Sequence, residues 1–101
     1  MKSPVQKFKR VAQECNGFLV MPFSNKPIPF STADISREGF KARLDERIFF
    51  GSRMMISLVI GDFNVANLVA KPVWGNDDNH VGFEIEQASP NWVEYVKTLE
   101  A

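Results

Sequence analysis

The run Asp34-Ile35-Ser36-Arg37-Glu38-Gly39 gathers a carboxylate, a hydroxyl and a guanidinium ahead of a glycine. Asp and Ser at such a place satisfy backbone N–H groups, or an outside ligand, with short side chains. Gly39 admits a backbone angle or a close approach that other residues resist. As pure chemistry the run is a polar turn, and it enters the alternating stretch Phe40-Lys41-Ala42-Arg43-Leu44.

A second chemical signal is the layout of charge. Formal net charge is zero, yet Lys2, Lys7, Lys9 and Arg10 all precede the first acid, Glu14, while the segment after Trp74 holds six acids against Lys97. The amino-terminal end is therefore the anion-binding pole. So small a cluster, with a pI of 6.6, is a weak footprint for DNA or RNA, which call for a broad basic face. Each lysine taken singly reads as solvated surface.

The remaining reactive residues do not assemble into a catalyst. His80 is the only histidine, so a metal site with Asp77 and Asp78 is not expected, and the two aspartates read as keeping a loop solvated. Cys15 reads as a small buried hydrophobe, and being the only cysteine it excludes an internal disulfide. Asp45-Glu46 and Glu84/Glu86 fit solvent-facing positions, and of Met54-Met55 only Met55 is a candidate contact surface. No Ser-His-Asp set, phosphate-cradling Gly-rich loop or cofactor fingerprint is visible, so the chain reads as a binding domain without enzyme activity.

The elements that must position these groups follow from periodicity. A chain of 101 residues, 45% hydrophobic and 24% charged, is one domain with one modest core. It carries no apolar leader and no run of membrane length, which predicts a cytoplasmic protein without membrane insertion. Ser3-Pro4-Val5-Gln6 matches a capping box, and Val5, Phe8, Ala12 and Cys15 recur at helical spacing, which predicts a helix from Pro4 to about Cys15 with Asn16-Gly17 as its stop. Strands are predicted at Phe18 to Phe23, Ile28 to Ile35, Phe40 to Leu44 and Met54 to Ile60. A fifth ends around Leu68 to Trp74, and a sixth carries Val81, Phe83 and Ile85. Ser89-Pro90 opens a last helix in which Trp92, Tyr95 or Val96, and Leu99 share a face. Six short strands with a helix at each end predict an all-β fold, a six-stranded antiparallel barrel.

Three landmarks give this order a likeness. Asp34-Ile35-Ser36-Arg37-Glu38-Gly39 resembles the D-x-S-x-x-G signature of PilZ domains, Val73-Trp74 resembles the family's V-W ending before a loop, and Val81-Gly82-Phe83-Glu84-Ile85 resembles its V-G-V-x-F segment. The resemblance implies a Greek-key β-barrel over residues 18–101 with a C-terminal helix, and a separate segment 1–17 that acts as a ligand switch. It also implies cyclic di-GMP as the ligand, with Arg10, Asp34, Ser36, Arg37 and Gly39 as contacts and Lys7 and Lys9 as added phosphate contacts. The regulated partner would be a protein of bacterial motility, pilus or exopolysaccharide (biofilm) machinery.

One part of the pattern departs. PilZ domains that bind cyclic di-GMP carry an R-x-x-x-R pair ahead of the first strand, and here Arg10 is the sole arginine in that segment. With Arg10 in the first place Glu14 fills the second, and with Arg10 in the second Gln6 fills the first. A guanidinium forks onto phosphate oxygens or onto guanine O6 and N7, which a carboxylate repels, a loss of ~2 to 5 kcal/mol in a desolvated site. Lys7, Lys9 or Arg37 are conceivable compensations, and Arg10 pairing with Glu14 along the helix is the bland alternative. Two readings stand: a cyclic di-GMP receptor, or a degenerate PilZ adaptor that acts through protein contacts alone.

Overall fold

Alternation of apolar and polar side chains shapes nearly the whole chain of the computed structural model, which describes residues 8–48, 50–62, 64–76 and 78–100. The strands are β1 (Asn16–Val20), β2 (Pro27–Ile35), β3 (Gly39–Arg43), β4 (Met54–Ile60), β5 (Asn64–Gly75) and β6 (His80–Ala88), followed by the helix α1 (Pro90–Glu100). All pairings are antiparallel, and the strands close in the order β1-β2-β3-β6-β5-β4. Because β3 pairs with β6 rather than β4, the 44–53 connection crosses an end of the barrel. Closure leaves no unpaired strand edge along most of the sheet.

The buried faces follow the period-2 reading. Met54, Ile56, Leu58 and Ile60 point inward from β4 while Met55 and Val59 face out. Phe30, Phe40 and Phe83 stack from three adjoining strands with centroids 5.0 to 6.4 Å apart. Trp74 pairs with Gly82, and its indole lies where a Gly82 side chain would be. That packing is why a tryptophan on one strand and a glycine on the next belong together.

Helix α1 starts at Pro90, whose missing N–H costs nothing at the first helical position. The Ser89 hydroxyl accepts from the Asn67 N–H at 3.0 Å and the Ser89 carbonyl accepts from the Trp92 N–H at 3.0 Å, so the helix start is tied to β5. Trp92 and Val96 are fully buried, with Val93, Tyr95 and Leu99 packed around them. No helix among the described residues is long and apolar enough to cross a membrane.

The amino-terminal segment differs from the expected helix. Its first residues, including Pro4, lie outside the described ones, but residues 8–15 are not helical: Val11 forms a two-way bridge with Ile35, N–H to O=C at 2.8 and 2.9 Å. The physical reason is an open strand edge. β1 pairs with β2 only as far as Ser31, so the later part of β2 offers unpaired backbone groups on that side, and a twelve-residue helix is marginal in water by itself. Cys15 is buried as expected, though from an extended segment, with its sulfur 3.8 Å from the Tyr95 hydroxyl.

Gly17 is accordingly no helix stop. It sits inside β1 opposite Phe30 and Leu58, and a Cβ there would collide with the Ser57 carbonyl. β1 ends at Val20 rather than Phe23, because Pro22 and Phe23 form a turn closed by the Ser24 N–H on the Met21 carbonyl at 3.2 Å, with Phe23 at φ 66°.

These placements separate in one substitution. A helix stop at Gly17 would tolerate alanine at about 1 kcal/mol, whereas the strand contact with Ser57 predicts that Gly17→Ala forces β1 and β4 apart and costs about 1 to 3 kcal/mol, read from urea unfolding midpoints at unchanged slope.

Candidate functional site

The bridge to Ile35 fixes where the amino-terminal tail runs. Thr32 anchors the tail a turn later: its N–H donates to the Cys15 carbonyl at 2.9 Å, its hydroxyl donates to the Gln13 carbonyl at 2.8 Å and accepts from the Cys15 N–H at 2.8 Å. Thr32 is completely buried, and each polar atom it buries has a partner, as a low-dielectric site requires. The tail is thereby laid along β2 toward the β2–β3 turn.

Arg10 arrives beside Asp34. Its Nε donates to Asp34 Oδ1 at 2.9 Å and its terminal nitrogen bonds the same oxygen. Lys41, directly across the strand pair from Asp34, places Nζ 3.6 Å from Oδ2. Arg10 therefore pairs with Asp34 and not, along a helix, with the exposed Glu14. Arg10 of the basic amino-terminal segment and Asp34 of the D-x-S-x-x-G run, far apart in the chain, thus meet at one carboxylate held between two cations.

The turn itself consumes the two smaller motif residues. Ser36 is buried, its hydroxyl donating to the Gly39 carbonyl and accepting from the Glu38 N–H, each at 3.3 Å, while its own N–H donates to Gly39 at 2.8 Å. The hydroxyl expected to face a ligand is thus directed into the hairpin. Gly39 is buried at the start of β3, where a Cβ would come within 2.5 Å of the Phe83 carbonyl. The close approach that glycine permits here is that of β6.

Arg37 points elsewhere. Its Nε and a terminal nitrogen donate to the two carboxylate oxygens of Glu100, at 2.9 and 2.6 Å, a planar fork-to-fork pair. The Phe8 ring lies 5.1 Å from the guanidinium carbon, within cation–π range. The Arg37 hydrogen bonds hold the Glu100 carboxyl below the ordinary carboxylate range, with the charges of Lys97 and Lys9 adding to the effect, and the same bond raises Arg37. Lys9 is exposed beside this pair, and Lys7 lies outside the described residues.

Three participants were not singled out from sequence: Lys41, Phe8 and Glu100. Lys41 had a usable signal, since a hairpin pairing Ile35 with Phe40 sets Asp34 opposite Lys41. Glu100 had none, its partner being distant in the chain. Among the described residues no group of three His, Cys, Asp or Glu side chains is placed to hold a metal ion. His80 uses its backbone N–H on Asn76, and Asp77 lies outside the described residues. A cleft of about 480 Å³ between Leu44, Ile48, Phe50, Asn76 and Val81 is lined by none of the candidate residues.

The arrangement is a tail, a turn and a helix end joined by two carboxylates held among cations, on a barrel whose architecture has known counterparts. The chain superposes on the PilZ domain of YcgR from Escherichia coli, determined with c-di-GMP, with a TM-score of 0.68 over 94% of this chain and 88% of that one at 16% identity. It superposes likewise on the PilZ domain of CeSA from a cellulose-synthesizing bacterium, TM-score 0.67 over 91% and 94% at 12% identity. No family model matches the sequence, and no curated protein does. The fold is that of PilZ domains, a closed six-stranded antiparallel barrel with a C-terminal helix.

Acid titration tests the Arg37–Glu100 pair. Glu100 has a lowered native value, so the pair's stability is fully present above the ordinary carboxylate pKa of ~4.3 and is lost as pH falls through the lowered value. Glu86, held by Arg53, contributes with the same sign. Unfolding midpoints of the parent should therefore fall relative to those of Glu100→Gln as pH drops from about 6 toward 3, and parallel curves would show that the pair carries no linkage.

Proposed function

We propose that the chain is a cyclic di-GMP-binding regulatory domain of the PilZ type, acting by binding and not by catalysis, and that it transmits ligand occupancy to a protein partner in bacterial motility, pilus or exopolysaccharide control. The observation that carries this reading is the meeting of Arg10 with Asp34. A guanidinium suited to phosphate or to guanine O6 and N7 stands against a carboxylate suited to the guanine N1–H and N2–H donors. Both lie on the surface between tail and turn, with Lys9 and Lys41 as added positive charge. The likeness in fold to a PilZ domain determined with c-di-GMP supports the choice of ligand.

The ligand contacts in this reading are Arg10, Asp34 and Arg37, with Lys9 and Lys7 toward the phosphates. Ser36 and Gly39 shape the turn that presents them. Binding requires the Arg10–Asp34 pair to open and both groups to re-pair with ligand. The tail then changes its path over β2, which is the differential contact a switch needs. Of the segment 1–17 expected to be the switch, Asn16 and Gly17 belong to β1, so in this reading the switch is the tail ahead of them and the barrel is the scaffold.

Isothermal titration with cyclic di-GMP at near-physiological salt, with GTP as control, tests the proposal. The expected result is micromolar binding that weakens tenfold or more in Arg10→Ala and in Asp34→Ala, both variants unfolding at close to the parent temperature, since an exposed ion pair contributes about 1 kcal/mol or less. Absence of heat, together with absence of the ~2.7 kcal/mol stabilisation that a hundredfold excess over Kd confers, overturns it in favour of a degenerate adaptor acting through protein contacts alone.

A further inference from the structure

Glu100 occupies a place that its own helix does not explain. It lies in the last turn of α1, where the helix dipole disfavours a carboxylate and favours a cation such as Lys97. What holds it is Arg37, a residue of the turn, in a bidentate pair with both side chains half-buried. Lys9 of the tail and Lys97 of the helix add their charges to the same carboxylate.

The geometry places this pair within the candidate site. Phe8 and Arg10, two residues apart on the tail, lie against Arg37 of the turn and Asp34 near the end of β2. The Arg37 fork and the Asp34 carboxylate are therefore covered by one short stretch of tail. A carboxylate presents two oxygens to a guanidinium in the same planar pattern as a phosphate, so an anion reaching this stretch meets an Arg37 whose Nε–Nη2 fork is already taken by Glu100.

We propose that Glu100 is an internal competitor for the anion site: its carboxylate holds the Arg37 fork that a ligand phosphate would take, and binding exchanges one for the other, freeing the last turn of α1. The proposal rests on the cyclic di-GMP reading above and deepens it. Arg37 then supplies the second guanidinium that the tail lacks, at a position in the turn, and Glu100 sets how much ligand is needed to recruit it. No bond is made or broken; a carboxylate and a phosphodiester exchange one set of N–H donors. The released helix turn, together with the displaced Phe8, is the surface that differs between the empty and occupied states.

The test is titration of cyclic di-GMP into the parent, Glu100→Gln, Arg37→Ala and the Arg37→Ala/Glu100→Gln double variant, with hydrogen exchange followed across residues 97–100. Glu100→Gln keeps the size of the side chain and removes a charge from the unfavourable end of a helix, so it is expected to fold. The expected result is at least tenfold tighter binding in Glu100→Gln, no such gain when Arg37 is also replaced, and faster exchange in the last turn of α1 when the parent binds. Equal or weaker binding by Glu100→Gln beside a parent that binds, or unchanged exchange in the last turn, overturns the competitor and leaves the receptor reading standing. Binding by none of the four proteins overturns both.

Discussion

The backbone bridge between Val11 and Ile35 is the constraint on which the site depends. β2 is nine residues long and β1 only five, so the barrel closes with the later part of β2 unpaired on one side beyond Ser31. Backbone N–H and C=O groups in a buried strand must find partners, and the tail supplies them through Val11 and Cys15, while the Gln13 carbonyl takes the Thr32 hydroxyl. Once those bonds are made, the positions of Phe8 and Arg10 are largely settled, Phe8 against Arg37 of the turn and Arg10 against Asp34 at the end of β2. A mismatch in strand length thus delivers two tail residues to Asp34 and Arg37.

In the receptor reading, the charge around the turn is exchanged for that of the ligand. Asp34 lies between Arg10 and Lys41, and Glu100 pairs with Arg37 while the charges of Lys97 and Lys9 add to the effect. Each carboxylate satisfies cations that would otherwise face one another across a small area, where like charges repel. The exposed Arg10–Asp34 pair contributes roughly 0 to 1 kcal/mol, so in the receptor reading an incoming dianion does not have to overcome a large stability to separate it. The decisive quantity is the difference between what the cations gain from carboxylate and from phosphate, and the planar guanidinium fork accepts both.

Much of the barrel was legible because strands with one buried face must alternate. Met54 to Ile60 has the same limits in sequence and structure, and Trp92 and Val96 emerge as the buried stripe of α1. The tail was misread for a reason that is equally physical. Val5, Phe8, Ala12 and Cys15 match a helical repeat, but Phe8 lies over a guanidinium, Cys15 packs as part of a strand-like segment, and Ala12 is exposed. A periodic pattern records which residues are apolar; it does not record that a distant strand has an open edge. The pairing of Arg37 with Glu100 was hidden for the same reason, since nothing local to either residue names the other.

The D-x-S-x-x-G run divides into two parts with different meanings. Ser36 and Gly39 are both buried and both accounted for by the hairpin, one through its hydroxyl bonds and one through the approach of the Phe83 carbonyl. A hairpin of this kind would need them with or without a ligand, so their presence is evidence for the fold. Asp34 and Arg37 are different: Asp34 pairs with Lys41 across the hairpin, and each of the two also reaches a charged group from another segment of the chain. The case for binding therefore rests on those two residues. In the proposed reading a ligand displaces Arg10 from Asp34 and Glu100 from Arg37, with Lys41 still beside Asp34.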